Sequence, residues 1–378
     1  MNHNQQPSTW NSLQTYLERE ELLLAPFAMH GRDSLGRKHP EPDHDYRGPY
    51  QRDRDRVLHS AAYRRLSDKT QVFTGEMGDY HRTRLTHTLE VASIARTIGR
   101  ALRLNEDLIE ALALLHDIGH PPFGHAGEDA LNECLSASGG FSHNEYALCL
   151  VEALEVRYHE FPGLNLTHEV LQGQVSRVDK ESGPCPLMEV QVVDLADSVT
   201  YDAHDTDDAL ALGLLTFEEL QETSLIRDTA EVVESRAGRL SGDLLRKLVV
   251  HELIDLQVSD VLLHTERWLQ GHAPSSSTAL RETGFRIGAG EEMAKKKKEL
   301  ESFLYERLYR HPKLVEERSC GQAQLKSMFD GYQQRPELLP NRFQARAEQV
   351  GLARSVAEYL AGMTDTYCGQ QFERHFKD

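Results

Sequence analysis

Apolar residues recur at helical spacing along most of this chain. Residues 82–104, RTRLTHTLEVASIARTIGRALRL, predict an amphipathic helix. Its core-facing positions are expected to be Leu85, Leu89, Ala92 and Ile94. The next segment, LNEDLIEALALLHDIGH, has almost no polar face and predicts a more deeply buried helix, which Pro121 and Pro122 end.

The rest of the chain also predicts helices separated by loops. A long acid-rich helix is predicted to begin in MEVQVVDLADSVTYDAHDTDDALALGLL, and helical patterns continue from residue 217 onward. Glycines and prolines between residues 30 and 50 predict a loop, and residues 271–290 predict a flexible or substrate-covering segment. Residues 10–24 predict a short amphipathic helix that packs at a subunit contact. Because no convincing series of strands is present, the predicted fold class is all-α.

Composition narrows the class of protein. Asp and Glu number 60 against 42 Lys and Arg, and the net charge of −18 argues against a whole surface that binds nucleic acid or membranes. The chain lacks a signal-peptide pattern, and no run approaches the roughly 18 apolar residues of a membrane span. We therefore expect a cytoplasmic protein. The five cysteines lack CxxC spacing, so any metal is expected to be held by nitrogen and oxygen.

The segment HDIGHPPFGHAGE, residues 116–128, concentrates side chains suited to metal binding and proton transfer. His116 and Asp117 close the buried helix, where an unpartnered carboxylate would be costly. With His87 and Asp197 they offer imidazole nitrogen and carboxylate oxygen, a donor set that suits Mg, Mn, Fe or Zn. We therefore predict a divalent metal ion at these four residues, where it would neutralise charge on phosphorus.

Three further residues of the same segment are candidates for proton transfer. His125 and Glu128 lie one helical turn apart, so Glu128 can orient His125 as a supporting carboxylate. His120 either acts near the reacting groups or simply caps the turn, and both roles are equally compatible with its position.

Two charged patterns bear on ligand binding. One helix is predicted to carry four residues on a single stripe, at spacings of 3, 4 and 4: Asp194, Asp197, Tyr201 and Asp205. The basic segment between Arg52 and Lys69 forms either a solvated helix face or a phosphate-facing one, and its charge supports both equally.

The order of His87, then His116 with Asp117, then Asp197 resembles the HD superfamily of metal-dependent phosphohydrolases. More narrowly, six blocks in order are similar to the bacterial deoxyguanosinetriphosphate triphosphohydrolase-like family, from about residue 18 through residue 313. The blocks are RRLSDKTQVF, RTRLTHTLEVA, HDIGHPPFGHAGEDAL, FPGLNLTHEVL, DLADSVTYDAHDTDD and FLYERLYRHP.

The resemblance implies an all-α HD fold with additional C-terminal helices, assembled as a homo-oligomer. On this basis we expect three regions. Residues 1–50 would form an N-terminal helix and loop at a subunit contact, and residues 51–215 an HD catalytic core. Residues 216–378 would form a helical region that completes the active site and the oligomer contacts.

The resemblance also implies an activity. This is metal-dependent hydrolysis of deoxynucleoside triphosphates at the α-phosphorus, giving the deoxynucleoside and inorganic triphosphate. The family varies in base preference and in whether a second nucleotide activates the enzyme.

The family's functional positions match residues of this chain one by one. The metal positions match His87, His116, Asp117 and Asp197, and the catalytic pair matches His125 and Glu128. Around the phosphates, the family's positions match His120 and His143 nearby and Arg84 in contact with a phosphate. Around the sugar, they match Gln71 and Asp205 at the 3′-hydroxyl, Val72 and Tyr201 packed against the sugar, and Tyr309 toward the 2′-position.

One departure leaves the binding of the triphosphate open. Ser198 stands where the related vertebrate enzyme has a lysine on the phosphates. Another cation must replace it, and the candidates are Arg64, Arg65, Lys69 and the lysine run at residues 295–298.

Two alternative functions stay open. The first is another HD-type nucleotide phosphohydrolase, acting on monophosphates, cyclic nucleotides or guanosine tetraphosphate. The second is a non-catalytic nucleotide sensor, or a single-strand nucleic-acid binder that uses the basic segment from Arg52 to Lys69.

Overall fold

The regular structure of the chain is helical throughout the described residues. The computed structural model describes residues 15–44, 46–71, 82–179 and 183–377. These residues form eighteen α-helices and no β-sheet, which confirms the predicted all-α class. The helices are α1 Tyr16–Leu23, α2 Pro49–Leu58, α3 Ala61–Arg65, α4 Arg84–Ala101, α5 Glu106–Leu115, α6 Gly124–Cys134, α7 His143–Cys149, α8 His168–Val178, α9 Met188–Ala211, α10 Phe217–Leu220, α11 Ser224–Ala237, α12 Gly242–His272, α13 Ser277–Glu282, α14 Glu291–Arg307, α15 Pro312–Gln334, α16 Asn341–Val350, α17 Leu352–Ala361 and α18 Asp365–His375.

Short polar side chains cap the N-termini of α4 and α5, the helices that carry or precede residues of the site. Thr83 starts α4, where its Oγ1 accepts from the N–H of Thr86 at 3.3 Å. Asn105 starts α5, where its Oδ1 accepts from the N–H of Leu108 at 3.2 Å. Such caps satisfy amide groups that the first turn of a helix leaves without partners.

Helix α5 is the centre of the main core. Helices α2, α4, α8 and α9 pack around it, and Leu108, Ile109 and Leu115 have no exposed surface. Burying a side chain of this size contributes about 1.5–3 kcal/mol. The predicted buried helix is therefore confirmed, and it ends at Leu115, so that His116 stands at its C-terminal cap.

A second, smaller core joins the end of α9 to α11, α12 and α14. Leu225, Leu253 and Leu300 are fully buried within it. Helix α15 packs against α6 and α17. The helical pattern predicted from residue 217 onward is confirmed, and these helices contact the central ones directly.

The buried face of α4 matches the predicted one in part. Ala92 is buried and Leu85 and Ile94 pack partly buried against the core, but Leu89 was expected in the core and is 50% exposed. Arg84 and His87 also lie on the buried face. The prediction for Leu89 was wrong because it rested on apolar character alone, while two polar residues of the helix are buried.

Residues 271–290 are not a loop throughout, because α13 lies within them. The segment after α13 is also held in place. The rings of Trp268 and Phe285 stack with their centroids 3.9 Å apart, and the N–H of Ile287 donates to Gln191 Oε1 at 2.9 Å. The prediction of a flexible segment is therefore not supported, since the loop is anchored on both sides of residue 286.

The first three arginines of the basic segment are paired with carboxylates. Arg52 and Arg56 both contact Glu41 at 2.5 Å, and Arg54 contacts Asp55 at 2.9 Å. The phosphate-facing alternative is therefore not favoured for these three arginines.

The N-terminal helix begins at Tyr16 within the described residues, and residues 10–14 of the predicted helix lie outside them. Leu17, Leu22 and Leu23 are exposed. The subunit contact of this helix and the division into three regions stay predictions. None of the described helices is long and apolar enough to cross a membrane.

Gly119 allows the turn after α5 to approach α7. A Cβ at this position would lie 2.0 Å from the carbonyl oxygen of His143 and 2.7 Å from the backbone nitrogen of Ala147. We predict that Gly119→Ala forces the two backbones apart and lowers the free energy of unfolding by roughly 1–3 kcal/mol, measured by urea denaturation.

Gly271→Ala is the matched control, because Gly271 lies in α12 and a Cβ there would have no neighbour within 4 Å. This substitution should keep or raise stability, since alanine favours helix more than glycine. Equal unfolding free energies for wild type and Gly119→Ala would contradict the close approach.

Candidate active site

Three parts of the fold bring the four predicted metal ligands together. His87 lies in α4, His116 and Asp117 follow α5, and Asp197 lies in α9. Asp197 Oδ1 is 3.0 Å from His87 Nε2 and 3.6 Å from His116 Nε2. Asp117 Oδ1 is 3.7 Å from His116 Nε2. Residues far apart in the sequence therefore form one compact set of nitrogen and oxygen donors.

The chemistry of this donor set fits a divalent metal ion. His116 Nδ1 lies 2.6 Å from the carbonyl oxygen of Ala113, so Nδ1 carries the hydrogen, and in the neutral ring Nε2 has a free lone pair. Nε2 is buried without a hydrogen-bond partner, which is rare for a buried polar atom. Burial would raise the pKa of Asp197, but His116 and His87 hold it well below its usual range. An ionised carboxylate beside an unpartnered imidazole nitrogen is suited to a metal ion.

Asp117 is held from two sides by buried side chains. Arg84 Nη1 donates to Oδ2 at 2.9 Å, and His120 Nδ1 lies 2.9 Å from Oδ1. Burial raises the pKa of Asp117, but the adjacent Arg84 outweighs this effect and the pKa lies well below its usual range. Arg84 thus contacts a candidate metal ligand, while its expected phosphate contact stays a prediction.

Behind His87 lies a polar chain that the sequence patterns did not indicate. His87 Nδ1 is 3.3 Å from His204 Nδ1, and His204 Nε2 pairs with Glu90. Burial lowers the pKa of His204 to about 4 in spite of the Glu90 carboxylate. A neutral His204 can orient the ring of His87 through one hydrogen bond. The available signal was its spacing, since His204 follows Asp197 by two helical turns on α9.

Glu128 joins two histidines. Its Oε2 is 3.3 Å from His125 Nδ1, the predicted partner, and its Oε1 is 2.8 Å from His143 Nδ1. The N–H of His143 donates to the same Oε1 at 2.8 Å. Burial would raise the pKa of Glu128, but the hydrogen bonds from His125 and His143 hold it far below its usual range. His143, the first residue of α7, also stacks on His120 with ring centroids 3.8 Å apart.

A cavity of about 580 Å³ opens beside these groups. The predicted stripe of Asp194, Asp197, Tyr201 and Asp205 lines it together with Tyr309. The hydroxyl of Tyr309 donates to Asp205, and the hydroxyl of Tyr201 lies 3.5 Å from His125 Nε2. Three of the residues matched to sugar contacts, Tyr201, Asp205 and Tyr309, therefore share one cavity with His125.

Gln71 lies at an adjoining smaller cavity that also contacts Tyr309 and His125. Its Oε1 and Nε2 are both buried without hydrogen-bond partners, and so is Oδ1 of Asp205. Burial raises the pKa of Asp205 to about 7. Such unpaired atoms are costly unless a ligand satisfies them. Val72, the remaining predicted sugar contact, lies outside the described residues.

None of the cations expected to replace the missing lysine lines the cavity, although Lys297 contacts its lining residues Asp202 and Ser198. Lys69 is buried and donates to the carbonyl oxygens of His120 at 2.5 Å and Ala361 at 3.0 Å. Lys297 pairs with Asp202. Arg64, Arg65, Lys69 and residues 295–298 are all absent from the cavity lining.

Arg286 is the functional candidate that the sequence did not indicate. It lines the cavity and has no carboxylate partner among the described residues, whereas Arg177, the other arginine there, lies 2.6 Å from Asp194. The segment GFRIG carried no motif that could have marked Arg286.

The C-terminal helices hold both loops of the site. Asp365, at the start of α18, accepts from the N–H of Thr70 at 2.9 Å and from the N–H of Phe123 at 3.1 Å. The sequence separation of 295 between Asp365 and Thr70 explains why no local pattern could have indicated this contact.

The contacts from His87 to His204 and from His204 to Glu90 lead to a prediction about metal affinity. We predict that His204→Ala lowers affinity for Mn²⁺ about 10–100-fold, because His87 loses its orienting partner. Titration of metal-free protein with Mn²⁺ measures the effect. His251→Ala is the control, since His251 is 74% exposed on α12 and should leave affinity unchanged. Equal affinity of the His204→Ala variant and wild type would mean that His87 is oriented without His204.

Comparison with known proteins agrees with this geometry. The family model of the HD domain matches residues 84–202, and that of the phosphohydrolase-associated domain matches residues 287–374. The first match spans the four candidate metal ligands. The second spans α14 to α17 and all of α18 except its last residue.

Several curated relatives resemble almost the whole chain, and each is called a deoxyguanosinetriphosphate triphosphohydrolase-like protein. The relative from Ralstonia pickettii is 40% identical over 366 residues, covering 93% of this chain and 94% of its own length. The one from Geobacter sulfurreducens is 40% identical over 373 residues, covering 96% of both chains. The one from Brucella ovis is 41% identical over 382 residues, covering 93% of this chain and 95% of its own. With this similarity and an HD domain that spans the donor set, the chain belongs to the deoxyguanosinetriphosphate triphosphohydrolase-like family of HD-domain phosphohydrolases.

Proposed function

We propose that the protein hydrolyses deoxynucleoside triphosphates at the α-phosphorus, releasing the deoxynucleoside and inorganic triphosphate. The observation that carries the proposal is the group of unpartnered atoms on Gln71 and Asp205 beside the metal donor set. A sugar 3′-hydroxyl both donates and accepts hydrogen bonds, so it would satisfy a carboxylate oxygen and an amide N–H together.

Two tyrosines support a preference for the deoxy sugar. Tyr309 is fixed by its hydrogen bond to Asp205. The ring of Tyr201 lies 5.2 Å from that of His87, and its hydroxyl lies 3.5 Å from His125 Nε2. We propose that these rings leave no room for a 2′-hydroxyl. Val72 is proposed to pack against the sugar on the strength of the family resemblance alone.

A divalent ion, Mg, Mn or Fe, would be held by His87, His116, Asp117 and Asp197. When bound, it supplies positive charge that stabilises the transition state at the α-phosphate. The chain's own part is orientation, since Arg84 and His120 fix Asp117 and His204 fixes His87.

Glu128 and its histidines are proposed to handle the proton of the reaction. The leaving 5′-oxygen of the nucleoside must be protonated, and a positioned imidazole is the usual donor. The side chain of His125 is 53% exposed and lines the cavity, while Glu128 fixes its other nitrogen. His120 and His143, stacked beside it, are proposed to face the phosphates.

The triphosphate needs a cation in a cavity rich in acids. Seven carboxylate residues line it against two arginines, and Arg177 is paired with Asp194. The guanidinium of Arg286 has no carboxylate partner among the described residues, and the anchored loop that contains it places it at the wall of the cavity. We propose that Arg286 binds the outer phosphates in place of the lysine that Ser198 replaces.

The remaining family properties are carried over as proposals. They are a homo-oligomer, a cytoplasmic site of action and activation by a second nucleotide. Single-strand nucleic-acid binding through the basic segment is not proposed, because Arg52, Arg54 and Arg56 are paired with carboxylates.

Product analysis tests the reaction. Each of the four deoxynucleoside triphosphates, alone and in pairs, is incubated with the protein and Mg²⁺ or Mn²⁺, and the products are separated by anion-exchange chromatography. We expect inorganic triphosphate and deoxynucleoside in equal amounts, no turnover in EDTA, and much slower turnover of ribonucleotides. Release of pyrophosphate or of single phosphates would contradict attack at the α-phosphorus.

Substitution of Arg286 tests the phosphate contact. Loss of a charged hydrogen bond removes about 1.5–3 kcal/mol, so Arg286→Gln should raise KM for the deoxynucleotide about 10–100-fold and change kcat less. Arg267→Gln, on the exposed face of α12, is the control and should leave KM unchanged. A KM for Arg286→Gln equal to that of wild type would place the phosphates elsewhere.

A further inference from the structure

Two acids of the catalytic cavity are contacted by a lysine that does not itself line the cavity. Asp202 lies in α9 and Glu301 in α14, and both line the cavity. Lys297, also in α14, pairs with Asp202, and its Nζ lies 3.2 Å from a carboxylate oxygen of Glu301. The same Nζ donates to the carbonyl oxygen of Ser198 at 3.2 Å. Each of these partners of Lys297 therefore belongs to the wall of the cavity.

This lysine is the source of positive charge for both acids. Within the part of the chain that the structure describes, no other cationic side chain contacts Asp202 or Glu301. Other acids of the cavity are held by different side chains: Asp117, Asp194, Asp197 and Asp205. Without Lys297, the wall formed by α9 and α14 would present two carboxylates whose charge nothing balances.

The charge of Asp202 in particular requires a partner. Its side chain is 4% exposed, and that of Lys297 is 15% exposed. Burial raises the pKa of Asp202 to about 6, although Lys297 acts in the opposite direction. The carboxyl group is therefore mainly ionised at neutral pH. A buried carboxylate that loses its only cation is unfavourable in itself, and it also repels any anion that enters the cavity.

The start of α14 is held so that this helix faces the cavity. The N–H of Gly290, which precedes the helix, donates to Asp260 Oδ2 of α12 at 2.6 Å. Arg286 lines the cavity from the loop before this contact, and Lys297 lies in the second turn of the helix after it. One loop and helix therefore place two cations at the same cavity, one in its lining and one against its acids.

The neighbouring lysine of α14 has a different surrounding. Lys296 contacts Asp228 of α11 at 2.7 Å, and Asp228 does not line the cavity. Successive residues of a helix point in different directions, so the two lysines reach different neighbours. Lys296 therefore offers a matched comparison, because it has the same charge, the same helix and an aspartate partner of its own.

We propose that Lys297 is a positioning residue for the triphosphate group, because it neutralises Asp202 and Glu301 and so lets this wall of the cavity accept an anion. Lys297 acts through the two carboxylates and does not contact the ligand, in contrast to Arg286. The proposal rests on the proposed function, since it places the triphosphate of a deoxynucleotide in this cavity. Like charges that face each other weaken binding, so the phosphates depend on this neutralisation.

Binding of inorganic triphosphate tests the proposal, because this ligand carries the phosphates without sugar or base. Calorimetric titration of the protein in Mg²⁺ measures the affinity. We expect Lys297→Met to bind triphosphate about tenfold more weakly or worse, since two unbalanced carboxylates then repel it. Lys296→Met loses the same charge from the same helix and should bind as wild type does, because its partner Asp228 lies outside the cavity lining.

Substitution of the acid gives a prediction of the opposite sign, which holds even if Lys297→Met does not fold. Asp202→Asn removes a negative charge from the wall and should tighten triphosphate binding about threefold or more. The double variant Lys297→Met/Asp202→Asn has the net charge of wild type, so its affinity should return to within about threefold of the wild-type value. Deoxyguanosine, which has no phosphate, should bind equally to every variant.

Several results would overturn the proposal. Wild-type affinity in Lys297→Met or in Asp202→Asn would do so, as would a wild-type protein that does not bind triphosphate. A loss that persists in the double variant would make Lys297 a direct ligand of the phosphates. An equal loss for deoxyguanosine would indicate a distorted cavity instead of a change in charge.

The outcome is separate from that of the proposed reaction. Inorganic triphosphate binds without turnover, so its affinity does not depend on whether deoxynucleotides are hydrolysed at the α-phosphorus. Triphosphate release from deoxynucleotides with unchanged affinity in Lys297→Met would contradict the role of Lys297 alone. Triphosphate binding that depends on Lys297, without such release, would contradict the reaction alone.

Discussion

The ionised side chain of Asp117 is the constraint on which the rest of the site depends. Removing a carboxylate from water costs several kcal/mol unless charged and hydrogen-bonding partners replace the water. Arg84 and His120 are these partners, and all three side chains are buried. Helix α4 must therefore turn Arg84 and His87 inward, which leaves Leu89 on the surface.

A second constraint is the turn between α5 and α6. Pro121 and Pro122 stop a helix, and Phe123 adopts a left-handed backbone conformation with a φ of 62°. Backbone amides in such a turn need acceptors from outside it. Asp365 supplies one to Phe123, and the carbonyl oxygen of His120 accepts from Lys69. The C-terminal helices thus hold the loops of the candidate active site, although they contribute none of the four candidate metal ligands.

The sequence predicted the parts of this site that local spacing determines. The buried helix before His116, the stripe on α9 and the pairing of His125 with Glu128 all follow from helical periodicity. Donor chemistry and the family resemblance both predicted that His87 meets Asp197, and the structure places His87 Nε2 3.0 Å from Asp197 Oδ1.

Other features depend on contacts between residues far apart in the sequence, which helical periodicity cannot predict. Arg286 reaches the cavity because Trp268 and Gln191 fix the loop around it. The carboxylate of Glu128, in α6, also contacts His143, and this contact requires the chain to fold back so that the start of α7 lies beside α6. Leu89 is the converse case, because its apolar character predicted a core position on α4 but the residue is exposed.

The contact between Asp365 and the loop at Thr70 also has a consequence for how the protein is made. A ribosome completes the four candidate metal ligands once it has passed Asp197, long before it reaches Asp365. Until then the amides of Thr70 and Phe123 lack their acceptor, and the loops that precede Gln71 and His125 are without these two hydrogen bonds. The four donor residues are thus synthesised well before Asp365. The growing chain therefore cannot complete the contacts around the site until α18 has been made and has packed.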